Sequence, residues 1–402
     1  MKVEIEKFDH QGRGITYVHN KVCFVRNTLP GEIVDIKITK DQKKYQEGEV
    51  RDFIHTSENR IEPVCPYFSI CGGCDLMHLN YSDQLTYKEN KIQDILNKYA
   101  NVGSEKIKPI VGNDSPLNYR NKATFQVKDK IGYFEKGSYE LIAIDECKIV
   151  DARINEVLTF LKQQDLSDLN QVVIRVSRSY PDLMVILKGD KRPHISQYLK
   201  LITSCYFEGE LLFGTKVIRD KIGNLEFSIS PDAFFQVNTE GAEKLYRLVR
   251  SYLSGNKNDR VLDLYCGTGT IGLFVSDLVN EVIGVEVNKQ AVIDAEENKK
   301  KNNLKNISFY CGDVAKMVSK LPLCNKVIVD PPRAGLDDVT LNYLLKNDFS
   351  KIIYVSCDPV TLARDLKKLS EKYEVVEITP VDLFSQTYHV ETVVLLSELK
   401  RT

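Results

Sequence analysis

From Thr239 onward the chain alternates short apolar runs with amphipathic segments, and this alternation constrains the fold more than any other feature. Runs at 261–265, 282–287, 307–310, 326–329, 352–355, 375–378 and 391–396 read as strands. Helical patterns lie between most of them, with clear ones at 239–253, 270–279 and 289–302. Such alternation predicts a doubly wound, largely parallel sheet of the Rossmann-like α/β class. Ligands of these sheets bind beyond the carboxyl ends of the strands. Four stretches put chemically capable residues there.

The first is Val261-Leu262-Asp263-Leu264-Tyr265-Cys266-Gly267-Thr268-Gly269-Thr270-Ile271-Gly272, a strand, a glycine-rich turn and a helix start. Glycines let the backbone turn tightly and approach a ligand closely. Glu286 ends the next strand, placed to accept hydrogen bonds from ribose hydroxyls. A dinucleotide and S-adenosylmethionine both suit this pattern. Asp263 inside the strand favours the second, because it can anchor the loop or meet the ligand's ammonium group. The second stretch, Val329-Asp330-Pro331-Pro332-Arg333, is a stiff acidic strand exit suited to a planar heterocycle with N–H donors.

The third is Tyr354-Val355-Ser356-Cys357-Asp358-Pro359, where Pro359 ends a strand and opens a helix. Cys357 at that junction becomes a nucleophile if a base or a helix N-terminus lowers its pKa. Taken alone it reads as a small buried residue. The fourth, His389-Val390-Glu391-Thr392, places Glu391 at the head of a strongly apolar strand. Partial desolvation there raises a carboxylate toward the range of a general base.

Residues 1–56 carry short strand patterns at 3–8, 14–18, 21–25, 32–38 and 49–54, with turn signals between them. They predict a small closed barrel of the oligonucleotide-binding kind. Arg13, Tyr17, Lys21, Phe24, Arg26 and Tyr45 interleave cations with aromatic faces, which suits single-stranded nucleic acid. An aromatic-cored barrel with solvated charges fits equally well. Cys65, Cys71 and Cys74 follow, around Gly72-Gly73, and a helix is expected from an N-cap at Ser82 through Tyr99. Residues 105–228 read as mixed strands with few helices, and include Cys147.

Ten cysteines without a secretory signal argue for metal or catalysis in the cytosol rather than a disulfide framework. No apolar run is long enough to span a membrane. The net charge of -1 excludes a globally basic nucleic-acid binder, so any such surface must be local.

Together these motifs resemble the RNA uracil-5-methyltransferases. The specific pieces are Phe234-Phe235-Gln236-Val237-Asn238, Asp330-Pro331-Pro332-Arg333 and Ser356-Cys357-Asp358-Pro359. The N-terminal part is similar to the RNA-binding TRAM barrel that many members carry. The resemblance covers essentially the whole chain and implies three domains: a barrel at 1–56, a mixed α+β central domain at 57–228, and a methyltransferase domain at 229–402. It implies Cys357 as the nucleophile that attacks uracil C6 and Glu391 as the base that takes the C5 proton. It implies S-adenosylmethionine contacts at Gln236, Tyr265, Glu286 and Asp330.

The resemblance also implies that Cys65, Cys71, Cys74 and Cys147 bind a [4Fe–4S] cluster, with a four-cysteine zinc site as the metal alternative. Cys23, Cys205, Cys266, Cys311 and Cys324 read as packing residues. Tyr119-Arg120-Asn121-Lys122 reads as an RNA-contacting stretch or an exposed basic turn. The implied substrate is 23S ribosomal RNA, with transfer RNA as the alternative, for a cytoplasmic monomer without a membrane partner. A nicotinamide-dependent oxidoreductase would need neither Cys357 nor the Asp-Pro-Pro-Arg run. A base-amine methyltransferase would carry an aromatic residue where Arg333 stands.

Overall fold

The computed structural model describes residues 1–193 and 200–399. Six strands come first: β1 Lys2–Glu4, β2 Lys7–Phe8, β3 Gly14–Val18, β4 Lys21–Val25, β5 Ile33–Asp41 and β6 Tyr45–His55. They pair in the order β1-β5-β6-β4-β3-β2. The single strand expected over 3–8 is broken in two, and the break closes the barrel. Its first half pairs with β5 and its second half with β3. Between them the Ile5 amide donates to the Glu32 carbonyl and the Glu6 amide to the Ile15 carbonyl. One short segment thus joins both edges and leaves no free ladder there. Ile5, Val18, Cys23, Val25, Val34 and Ile36 fill the interior.

Helix α1, Tyr81–Ala100, is capped by Asn80, whose side chain accepts from the Asp83 amide, and not by Ser82 as expected. Asn80 meets the chain first as it turns from extended backbone, and Ser82 falls inside the first turn, donating its hydroxyl to Asn80. The middle of the chain forms β7 Lys122–Val127, β8 Ile131–Phe134, β9 Leu141–Ala143, α2 Ala152–Leu161, β10 Leu169–Val176, β11 Leu183–Gly189, β12 Ser204–Phe207 and β13 Glu210–Gly214. These strands make one sheet, β13-β12-β11-β10-β7-β8-β9, antiparallel except for the β11–β12 pair. Helix α2 buries Ile154, Val157, Leu158 and Leu161 in the same core as Phe125, Val172 and Ile174. A hairpin of β14 Ile218–Ile222 and β15 Leu225–Ile229 leads onward.

The last part alternates as expected: α3 Thr239–Leu253, β16 Arg260–Leu264, α4 Thr270–Val275, β17 Glu281–Glu286, α5 Lys289–Lys301, β18 Ile307–Cys311, α6 Val314–Met317, β19 Lys326–Val329, α7 Asp338–Lys346, β20 Lys351–Ser356, α8 Pro359–Leu369, β21 Tyr373–Val381 and β22 Glu391–Glu398. The sheet order is β18-β17-β16-β19-β20-β22-β21. It is parallel through β20, and β22 then enters antiparallel between β20 and β21. Val327, Val329, Ile352 and Tyr354 face one core and Ile328, Ile353 and Val355 the other, which explains the unbroken apolar runs. Helix α3 and the β14–β15 hairpin cover one face, while α1, α7 and α8 cover the other. No helix among the described residues is long and apolar enough to cross a membrane.

Candidate active site

A cavity of about 640 Å³ opens at the carboxyl ends of β16, β17, β19 and β20, and Gln236, Tyr265, Glu286, Asp330, Cys357 and Glu391 all line it. The sequence expectation for these six positions is one place in three dimensions. β16 ends one residue early, because Tyr265 takes a left-handed backbone with φ 61°. Such a conformation strains an aromatic residue and here turns its ring toward the cavity. Its hydroxyl is tied at 3.1 Å to Asp337 and at 3.2 Å to Thr340. Glu286 accepts from the Gly267 amide at 3.0 Å and the Asn288 amide at 2.7 Å, so it also shapes the glycine turn.

Asp263 is fully buried, and neither carboxyl oxygen has a hydrogen-bond partner. A Cβ at position 272 would come within 2.7 Å of it, so Gly272 is required for this close approach. Burial, and then the nearby Asp330, push the Asp263 carboxyl up to about 8. Burial likewise pushes Asp330 up to about 7. The loop after Asp330 is braced against α8: Arg364 donates to the Ala334 and Leu336 carbonyls, and Asp365 accepts from the Leu336 amide.

Cys357 sits between β20 and α8, and Asp358 caps α8 by accepting from the Val360 and Thr361 amides. The β20–β22 register ends at the pair Ser356–Thr392. One step further, Cys357 and Glu391 stand across from each other. Burial, followed by Asp330, raises Glu391 to about 8. Burial, followed by Glu391 and Asp330, pushes the Cys357 thiol up to about 12. In the free protein desolvation and the facing acids thus favour the thiol over the thiolate.

Carboxyls dominate the cavity: Asp232, Asp263, Glu286, Asp313, Asp330 and Glu391 face a single guanidinium, that of Arg333. This environment suits a cationic ligand, and the unpartnered Asp263 suits a cationic group above all. Tyr246, Phe384 and His389 also line the cavity and were not singled out in the sequence. Tyr246 lies on the buried stripe of α3 with its hydroxyl 2.8 Å from Thr270, so its pattern matches that of a core residue. His389 and Phe384 lie in the 382–390 segment, whose position no local pattern reveals.

A second cavity of about 540 Å³ shares Arg333, Phe384 and His389 with the first. Arg13, Arg26, Arg120 and Lys136 add positive charge, and Asp75, bound to Lys136, is its one carboxylate. It is thus a basic groove that runs from the barrel to the acidic cavity. Within the 119–122 stretch only Arg120 lines this groove. Tyr119 and Asn121 are buried instead, the first donating to the Ser385 carbonyl and the second to Gln236 and Thr239. Neither an RNA-contacting run nor an exposed turn describes the stretch, because its alternate residues pack inward.

Cys65, Cys71, Cys74 and Cys147 face a third cavity, of about 430 Å³, and none is in a disulfide. Burial is the main cause that raises Cys71 to about 11 and moves Cys74 and Cys147 upward as well. Among the described residues, no three metal-binding side chains converge as they would on a single ion. Cys23, Cys205 and Cys266 are buried as expected and Cys324 is half-buried. Cys311 is exposed, contrary to the packing role, because it ends the edge strand β18.

An open α/β sheet with a glycine turn after its first strand and an acid-lined cavity at its carboxyl ends has the architecture of a Rossmann-like methyltransferase, here behind an N-terminal barrel. Comparison with known proteins agrees. The profile of the tRNA (Uracil-5-)-methyltransferase family matches residues 210–399, and that of the TRAM domain matches residues 1–50. An uncharacterized RNA methyltransferase of Halalkalibacterium halodurans is 33% identical, over 100% of this chain and 97% of that protein. Another, from Clostridium acetobutylicum, is 34% identical over 100% and 97%. The crystal structure of Pyrococcus abyssi tRNA (uracil-54, C5)-methyltransferase in complex with S-adenosyl-L-homocysteine superposes with a TM-score of 0.84. It is 27% identical and covers 98% of this chain and 100% of that one. The chain belongs to the S-adenosylmethionine-dependent RNA (uracil-5-)-methyltransferase family and carries an RNA-binding TRAM domain.

Proposed function

We propose that this enzyme methylates C5 of a specific uridine in 23S ribosomal RNA through a covalent cysteine–uracil adduct. The observation that carries this reading is that Cys357, just past the end of β20, and Glu391, at the start of the neighbouring antiparallel β22, line one acid-lined cavity. Uracil C5 is a weak nucleophile. The Cys357 thiol first gives its proton to solvent, and the thiolate then bonds to C6 and turns the ring into an enolate whose C5 is carbanion-like. S-adenosylmethionine supplies the methyl group to that carbon. Glu391 then takes the surplus C5 proton, and the enolate expels the Cys357 thiolate to restore the ring. Asp330 holds the uracil edge or the cofactor from the stiff Pro331-Pro332 exit. Gln236, Tyr265 and Glu286 hold the cofactor, and the buried carboxyls of Asp263 and Asp330 favour its positive charge. The same positive charge opposes the acids that now hold Cys357 protonated.

The basic groove supports an RNA path from the barrel to the catalytic cavity, with the target base taken out of its stack. In this reading residues 1–56 and 57–228 guide RNA, and 229–402 carries the chemistry, in a cytoplasmic monomer. Four thiols around a cavity of about 430 Å³ fit a [4Fe–4S] cube, which is wider than a zinc ion. Cys65, Cys71, Cys74 and Cys147 would hold it, giving the cysteine loop a rigid anchor. Ribosomal RNA as substrate rests on the barrel and the four cysteines together. The Pyrococcus abyssi likeness favours transfer RNA as the second reading.

Cys357→Ala and Glu391→Gln separate the steps. The first should form no adduct and transfer no methyl group while still binding S-adenosylmethionine. The second should accumulate enzyme joined to methylated RNA, stable to denaturing electrophoresis and labelled from the cofactor's methyl group. Methylation of uracil by Cys357→Ala would overturn the mechanism. Mapping 5-methyluridine in ribosomal and transfer RNA from a deletion strain decides the substrate.

A further inference from the structure

Residues 382–390 join β21 to β22, present Phe384 and His389 to the catalytic cavity, and lead directly into Glu391. Five of their carbonyls accept from outside the segment, and Thr387 adds a bond to that of Phe384 from within it. The Leu383 carbonyl accepts from Asn238 at 3.1 Å, that of Phe384 from Lys88 at 3.1 Å, and that of Ser385 from Tyr119 at 3.0 Å. The Gln386 carbonyl accepts from the Asp75 and Leu76 amides, directly after Cys74, and the Tyr388 carbonyl from Lys91 at 2.8 Å. Gln84 and Gln386 add a reciprocal pair, at 3.0 and 3.1 Å, around the left-handed backbone of Gln386.

At the centre lies an ion pair with no solvent exposure on either side. Lys88 of α1 meets Asp382 at 2.5 Å, and Asp382 also accepts from Tyr81 and Ser385, each at 2.7 Å. A buried pair of this kind adds little to stability over an apolar one of the same shape. It does demand one geometry, because any displacement strands a charge in a dry interior. Lys88 reaches both the carboxylate that starts the segment and a carbonyl two residues along it.

We infer that Lys88 is a positioning residue for removal of the C5 proton: with Asp382 it holds the 382–390 segment so that Glu391 stands at the reacting carbon. This rests on the assignment of Glu391 as the base. Lys88 itself touches neither cavity. Its loss should leave cofactor binding in place, since Gln236, Tyr265, Glu286 and Asp330 lie outside the segment, and slow the step that follows methyl transfer.

The test uses the full-length protein, methyl-labelled S-adenosylmethionine, and total RNA from a strain lacking the enzyme. Lys88→Met should lower kcat at least about tenfold, as displacement of a catalytic group does. The affinity for S-adenosylmethionine should stay within about twofold, the signature of a lost step rather than a lost cofactor site. Labelled adduct should build up on the protein in denaturing gels. A parent-like kcat overturns the inference, and so does a lower kcat without labelled adduct. If Lys88→Met does not fold, Tyr119→Phe carries the same test, since it removes one donor and strands no charge. It should slow turnover about fivefold with the same adduct signature, the scale of one lost hydrogen bond, and parent-like turnover there overturns the inference. Glu391→Gln runs alongside. If it traps no adduct, the base assignment fails; if it traps adduct and Lys88→Met does not, the positioning role fails.

Discussion

At the scale of single residues, burial keeps three acids of the candidate cavity, Asp263, Asp330 and Glu391, from their ordinary ionisation. Glu391 is the clearest case: its carboxyl moves from 4.5 to about 8, chiefly by burial. Between those values the folded state keeps a proton that the unfolded state has released. Folding stability therefore falls as pH rises through this window. Glu391→Gln carries no such proton, so its stability lacks that slope. Its melting temperature should draw above the parent's as pH rises from 4.5, and the gap should be complete by about 8. Thermal melts of the ligand-free proteins across that range check it, and parallel curves would contradict the burial of this carboxyl. With Glu391 as the proposed base, decay of the labelled adduct in the parent enzyme should quicken as pH rises, because the burial that keeps this carboxyl protonated must be overcome before it can take a proton.

At the scale of elements, the cysteine loop is where a metal would act on structure. Residues 65–74 meet Cys147 across one cavity, and the next two residues hold the segment that leads to Glu391. A cluster at the four thiols would fix both contacts together. Protein purified without oxygen should contain iron and sulfide and absorb broadly in the visible range. Cys147→Ala should lose most of the iron and lower the melting temperature by several degrees, about the effect of a lost internal cross-link. A colourless, zinc-loaded parent would rule out the iron–sulfur assignment. The β20–β22 pairing is the other decisive element. A one-residue slip there would turn Glu391 away from Cys357.

At the scale of the whole molecule, the near-neutral net charge hides a strong separation. Carboxyls line the catalytic cavity, while arginines and a lysine line the groove that feeds it. RNA binding should be salt-dependent because phosphate contacts release counterions. Arg26→Ala and Arg120→Ala should each lower the slope of log affinity against log salt by about one, without altering S-adenosylmethionine affinity. Filter binding across a salt series measures this. Unchanged slopes would move the RNA path away from this groove.

The sequence by itself determined the parts that local physics controls. Apolar runs buried on both faces had to be central strands, so the order of strands and helices from Thr239 onward was legible. So were Tyr265, Glu286, Asp330 and Cys357, because topology places the carboxyl ends of their strands together; Glu391, at the start of antiparallel β22, and Gln236, in the loop before α3, line the same cavity. The tertiary structure alone decided what depends on contacts between distant segments. The split of the first strand follows from its need to pair with two edges at once. The inward packing of Tyr119 and Asn121 follows from partners at 385 and 236–239. The raised pKa of Cys357 follows first from burial and then from Glu391 on β22 and Asp330 just past β19, none of which its own strand reveals. The 382–390 segment has no periodicity to read, because its shape comes from donors on α1, the cysteine loop and Tyr119. Local pattern encodes burial and turn geometry, whereas dielectric environment and long-range hydrogen bonds exist only once the chain has closed on itself.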